Sequence, residues 1–289
     1  MRHVYECPLR WADMDQLAHI NNVSYADYLQ EARLDFVRAL GIPLPAGEGL
    51  VVVRQELRFL APLTFRPEPV LVSVRVIDVR AGSFTLAYEI FDEGPDGPRT
   101  YLTGRTLLTP FDLGAQRPRR LRPDEVAALQ PYLEPEDVSP PLGLPAIRRD
   151  PRHRYPVRVR FSDLDPLGHV NNVAFVEYLQ EARIAVISRL FGEVPGTGRG
   201  SVVVGHIDLE YRRQLTMRPE PYEAWTGVVR VGRTSTLLGT EIVDPLSGEV
   251  AARGQAVLVF FDATTQRSAS PPPEIHAALV AAAAEQAAG

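Results

Sequence analysis

Two short stretches of this chain carry the same acidic and polar residues at the same spacing: Asp13, Asp15, His19, Asn21 and Asn22, and 150 residues later Asp163, Asp165, His169, Asn171 and Asn172. A carboxylate can activate water or attack an electrophilic carbonyl directly, and backbone N–H groups at a helix start can hold the oxyanion that develops. Asp15 and Asp165 each stand on a segment just ahead of a stretch with helical periodicity, where the positive end of the helix dipole is already oriented. Asp13 and Asp163 read as loop braces, because short Asp side chains favour turns. His19 and His169 offer either a group that polarises a substrate or a hydrogen bond that keeps the loop in shape. Asn21 and Asn171 are expected to make local backbone bonds, and Asn22 or Asn172 to cap the helix that follows. The six histidines, His3, His19, His153, His169, His206 and His276, show no metal-ligand pairing, and there is no serine-nucleophile motif. Neither a metal nor a cofactor is expected. The single cysteine, Cys7, precedes Pro8 in a predicted first strand and reads as a packed thiol.

The spacing is part of a long internal repeat. From Asp13 to Arg33 and from Asp163 to Arg183, 13 of 21 aligned positions are identical. Downstream the offset becomes 152, pairing Val51-Val52 with Val203-Val204 and Arg66-Pro67-Glu68-Pro69 with Arg218-Pro219-Glu220-Pro221. Copy one is placed at residues 1–119 and copy two at 151–262. Between them lies a linker, 120–150, with a short helix and then Ser139-Pro140-Pro141, and residues 263–289 form a tail with a short helix. With two copies of this length the chain reads as a fused dimer rather than a solenoid. Within each copy Tyr25, Leu29, Ala32, Phe36 and Leu40, or Phe175, Leu179, Ala182, Val186 and Leu190, recur at helical spacing. Runs rich in Val, Ile and Thr follow at Val51 to Phe59, Val70 to Val79, Phe84 to Phe91 and Tyr101 to Thr109, and copy two repeats them. One strand, one long helix and then consecutive strands predict an α+β domain, an antiparallel sheet packed on that helix.

Asp-x-Asp-x-x-x-His-x-Asn-Asn between a first strand and a long helix, ahead of an antiparallel sheet, resembles the hotdog thioesterases of the 4-hydroxybenzoyl-CoA thioesterase type, here in two tandem copies. It is also similar to the second half of plant acyl-ACP thioesterases. The resemblance implies a sheet wrapped around the helix and two such domains joined as a pseudo-dimer. It implies a catalytic carboxylate at Asp15 and Asp165, and a carbonyl-polarising backbone N–H seven residues on, at Asn22 and Asn172. The acyl-ACP branch adds a histidine four residues after the Asp, matched by His19 and His169; its intervening Asn is replaced by Leu17 and Leu167. Some hotdog enzymes use a helix carboxylate, but Glu31 and Glu181 read as solvated or loop-bracing. Arg66 and Arg218 would contact CoA phosphates or serve as surface turn charges.

Composition narrows the partners. The formal net charge is −5, from 31 arginines, no lysine and 36 acids, so no general attraction to nucleic acid or anionic membrane is expected. No apolar run approaches the length of a membrane helix and the N-terminus lacks a signal-peptide core, so no membrane insertion and a cytoplasmic location are expected. The expected partner is an acyl-CoA substrate, and whole chains are compatible with a homo-oligomer. Acyl-CoA hydrolysis is the leading expectation. Acyl-ACP hydrolysis, hydration of an enoyl-CoA and non-catalytic binding of acyl-CoA stand as alternatives; hydration would bring a different Asp and His arrangement after the long helix, which is absent.

Overall fold

The computed structural model describes every residue except 17, 43–44, 46, 95–96, 139–142, 144–145, 193–201, 263–264, 266 and 289. Contacts divide the chain into two compact units, Met1–Pro141 and Leu142–Gly289. The first unit holds β1 (His3–Cys7), α1 (Asn22–Ala39), β2 (Glu48–Phe59), β3 (Val70–Arg80), β4 (Ser83–Gly94), β5 (Gly97–Asp112), the two-residue β6 (Arg117–Pro118) and α2 (Pro123–Leu129). The second holds β7 (Arg154–Val157), α3 (Asn172–Phe191), β8 (Val202–Tyr211), β9 (Tyr222–Val231), β10 (Ser235–Val243), β11 (Val250–Asp262), β12 (Arg267–Ser268) and α4 (Pro273–Ala287). The expected α+β arrangement is present in both.

Each unit has one antiparallel sheet with the same strand order. In the first it is β1-β3-β4-β5-β2; in the second it is β7-β9-β10-β11-β8. The sequence repeat is therefore a repeat of topology. Alternation along β5 buries Leu102, Thr106 and Leu108 on one face, and α1 lays Tyr25, Tyr28, Leu29, Ala32 and Phe36 into the core. Full burial of Leu29 and Phe36 stabilises by roughly 1.5–3 kcal/mol each. The helix approaches closely because the strand beneath it has no side chain at the contact: a Cβ on Gly104 would lie 2.7 Å from Leu29 Cδ1. Gly254 serves Leu179 in the same way in the second unit.

The stretch 120–150 is shared between the units. Helix α2 belongs to the first and buries Glu125 and Leu129, whereas Ile147 packs with Trp225 and Val243 in the second. Ser139-Pro140-Pro141 lies outside the described residues. In the tail, α4 runs for 15 residues against β9 and α3. It buries Ile275 and Leu279 beside Val228, Leu238, Leu258 and Phe260. No helix among the described residues is long and apolar enough to cross a membrane.

Candidate functional site

The segment before each long helix is a tight loop closed on itself. Single β-bridges join Met14 to Ile20 and Leu164 to Val170, and the Asp15 and Asp165 N–H groups donate to His19 O and His169 O, both at 2.7 Å. Each Asp side chain then turns back over its own loop. His19 N–H donates to Asp15 Oδ1 at 3.2 Å, and in the second copy both Leu167 N–H (2.8 Å) and His169 N–H (3.0 Å) donate to Asp165 Oδ1. These bonds fix the carboxylate's direction and bring the histidine to the opposite end of the same loop. The turn needs a left-handed residue, which is Ala18 at φ 57° in the first copy and Gly168 at φ 78° in the second. A β-carbon is disfavoured there, so the first loop is the more strained.

Asp13 and Asp163 are the anchors. Tyr28 OH donates to Asp13 Oδ2 at 2.6 Å and Tyr178 OH to Asp163 Oδ2 at 2.6 Å. Arg10 N–H and Arg160 N–H bind the same oxygens, at 3.1 and 2.8 Å. Burial, and then the hydrogen bond to the carboxylate, push both phenols well above the ordinary tyrosine range, so they remain donors. The far side of the loop is strapped to the chain beyond β2 or β8, through Ile20 N–H to Leu63 O (2.8 Å) and Val170 N–H to Leu215 O (2.9 Å). Sequence reasoning missed the tyrosines as site residues, although their spacing of 15 from the first Asp is identical in both copies.

The helix cap falls one residue earlier than expected. Asn21 and Asn171 are extended, at φ −62° and −60°, and their side chains accept from Val23 N–H (2.9 Å) and Val173 N–H (2.8 Å). Asn22 and Asn172 have already entered the helix, so they are its first residues rather than its caps. Their amides are N1 amides, at the positive end of the helix dipole. An aromatic pair beneath this end is kept at 5.3 Å in both copies, Tyr25 with Phe59 and Phe175 with Tyr211. The hydroxyl has changed sides. Tyr25 OH accepts from Leu63 N–H at 3.2 Å, whereas Tyr211 OH donates to Asn172 O at 3.0 Å.

Arg66 and Arg218 are occupied within their own units. Arg66 donates to Asp92 Oδ2 at 2.6 Å. Arg218 makes a two-pronged pair with Asp244 at 2.8 and 3.0 Å and lies 3.8 Å over the Tyr222 ring. In this geometry they brace the Arg-Pro-Glu-Pro turns. On the long helices Glu31 is exposed and Glu181 half-buried. Cys7 is buried, and burial pushes its thiol up to about 12.

The family model of the thioesterase-like superfamily matches residues 9–130 and 159–279, once in each unit. Among solved structures, the chain is similar to a protein assigned as an oleoyl thioesterase from Lactobacillus plantarum. The TM-score is 0.74 and the identity 18%, covering 91% of this chain and 97% of that one. It is also similar to the 12:0-ACP thioesterase from Umbellularia californica, with a TM-score of 0.69 and 17% identity, covering 90% of this chain and 97% of that one. A chloroplastic acyl-acyl carrier protein thioesterase of Arabidopsis thaliana is 34% identical over 65 residues, 21% of this chain. The match spans about a third of that protein's length, 34%. Two matched segments, the same strand order in each and the paired Asp loops ahead of each long helix lead to one conclusion: this chain is a tandem hotdog protein and belongs to the thioesterase-like superfamily.

Proposed function

We propose that the chain is a thioester hydrolase that cleaves acyl-CoA to the free acid and CoA, with Asp15 and Asp165 as the catalytic carboxylates. The observation that carries this is the loop geometry repeated in both copies: a carboxylate fixed by backbone N–H groups, a histidine at the other end of the loop, and a helix N-terminus immediately beyond. The carboxylate activates water or attacks the thioester carbonyl itself, and the N1 amide of Asn22 or Asn172 stabilises the oxyanion. His19 and His169 polarise the substrate or steady the loop. The CoA thiolate is a good leaving group, so the carboxylate and oxyanion donors suffice for the chemistry proposed.

A second reading, acyl-ACP hydrolysis, is favoured by the names of the Umbellularia and Arabidopsis relatives. Against it stands Leu167, with Leu17 at the same place in the first copy, where the acyl-ACP branch carries Asn. Thiol release from a series of acyl-CoAs of increasing chain length, aryl-CoAs and the matching acyl-ACPs tests both. Faster turnover of acyl-CoA is expected; turnover of acyl-ACP alone would replace the first reading with the second.

A further inference from the structure

Among the described residues, the exposed aromatic side chains lie on the rims of the two Asp loops. Trp11 (73% exposed) and Phe161 (81%) begin the short turns that lead into Asp13 and Asp163. Phe65 and the exposed Met217 hold equivalent places just beyond the straps Leu63 and Leu215. Trp11 and Phe65 meet edge to face with ring centroids 5.9 Å apart. Isolated exposed apolar residues need no explanation, but exposure at the same place in both copies, beside the reacting loop, does.

The charges around the two rims differ. In the first copy Arg10 is held by Asp27 at 2.7 Å and by Asp13 at 3.3 Å, and the position two residues before it is Pro8. In the second copy Arg158 and Arg160 are both exposed and alternate with half-buried Val159 along the extended segment after β7. Among the described residues neither guanidinium has a carboxylate at ion-pair distance; Arg158 donates only to Pro219 O at 3.4 Å. Neighbouring Arg212 and Arg213 are neutralised by Glu210 and Glu249. Two residues of extended chain set Arg158 and Arg160 about 6.5 Å apart on one face, with the open Phe161 ring next in line.

We infer that Arg158, Arg160 and Phe161 form the binding site for the phosphorylated nucleotide end of CoA, the arginines taking phosphate oxygens and the Phe161 face taking the adenine. This rests on the proposed hydrolysis of acyl-CoA and locates its carrier. An exposed aromatic face beside two guanidiniums that make no ion pair among the described residues, Arg160 acting on Glu177 only at longer range, is a pairing that suits a phosphorylated nucleotide. An acidic carrier protein would need a far wider basic face than two arginines in a chain of net charge −5.

The test is calorimetric titration of the full chain with free CoA and, separately, with pantetheine, which lacks the nucleotide. CoA is expected to bind the wild type at least about tenfold more tightly than pantetheine, the scale of one or two charge-assisted contacts. The double variant Arg158→Ala, Arg160→Ala closes that gap, and Phe161→Leu narrows it. Pantetheine binding stays unchanged in both. A wild type without the preference, or a double variant that retains it, overturns the inference. So does loss of acyl-ACP turnover in the double variant with CoA binding intact, which would make the patch a carrier-protein dock. Because titration needs no turnover, a chain that binds CoA through this patch and releases no thiol would keep the site and lose the hydrolase.

Discussion

The two Asp loops are chemically alike and conformationally unequal, and single side chains explain the difference. Ala18 holds a left-handed conformation that Gly168 adopts without penalty. Nothing lies within 4 Å of a Cβ built on Gly168, so backbone strain alone sets the cost of adding one. Ala18→Gly is therefore expected to stabilise the first unit and Gly168→Ala to destabilise the second, each by about 1 kcal/mol, read by thermal melting. Equal shifts of the same sign would contradict this. The tyrosine anchors give a second prediction. Tyr28→Phe leaves the buried Asp13 carboxylate without its shortest donor, and Tyr178→Phe does the same to Asp163. Each is expected to cost about 1–3 kcal/mol and to lower turnover by loosening the loop; an unchanged melting temperature would show the phenols to be dispensable.

At the scale of elements, the long helices and strands were legible because their apolar residues recur at 3.6 and at 2, and both signals appear twice in one chain. The alternation predicts a strand over Val70 to Val79, and Val70–Arg80 is one. What sequence left open depends on contacts across the fold. The cap is Asn21 rather than Asn22 because a side chain's reach to Val23 N–H decides it, and two adjacent asparagines look alike in sequence. Sequence leaves Arg218 open between a phosphate contact and a surface turn charge, because the acceptor it meets in the structure, Asp244, lies 26 residues away on the chain. That pair has a pH signature. Hydrogen bonding from Arg218 is the main force holding the Asp244 carboxyl below its ordinary range, with burial acting against it. A carboxyl depressed in the folded state stabilises above its unfolded pKa, and the contribution disappears as pH falls through the folded one. Arg218→Met is thus expected to cost about 1 kcal/mol near neutral pH. Wild type and variant should converge as the pH falls well below the ordinary aspartate range, in urea titrations. A gap that persists at low pH would assign the loss to packing over Tyr222 instead.

For the whole molecule, duplication is the main fact, since each unit keeps its own Asp, His and Asn pair and its own topology. The spacing alone marked the proposed site residues; the inequality of the two copies needed the structure, because it lies in Gly168 against Ala18 and in a hydroxyl moved from Tyr25 to Tyr211. Thiol release can be followed against a quiet protein, the one cysteine being buried with its thiol pushed up to about 12. The most direct test is therefore acyl-CoA thiol release by the wild type, Asp15→Asn, Asp165→Asn and the double variant, each checked for folding by thermal melting. Asn keeps the side-chain shape and removes the basic oxygen. Each single variant is expected to retain the other copy's contribution, with the larger loss at Asp165, and the double variant to fall by about 10²–10⁴. A folded double variant that releases thiol at the wild-type rate would contradict the assignment of the catalytic carboxylates.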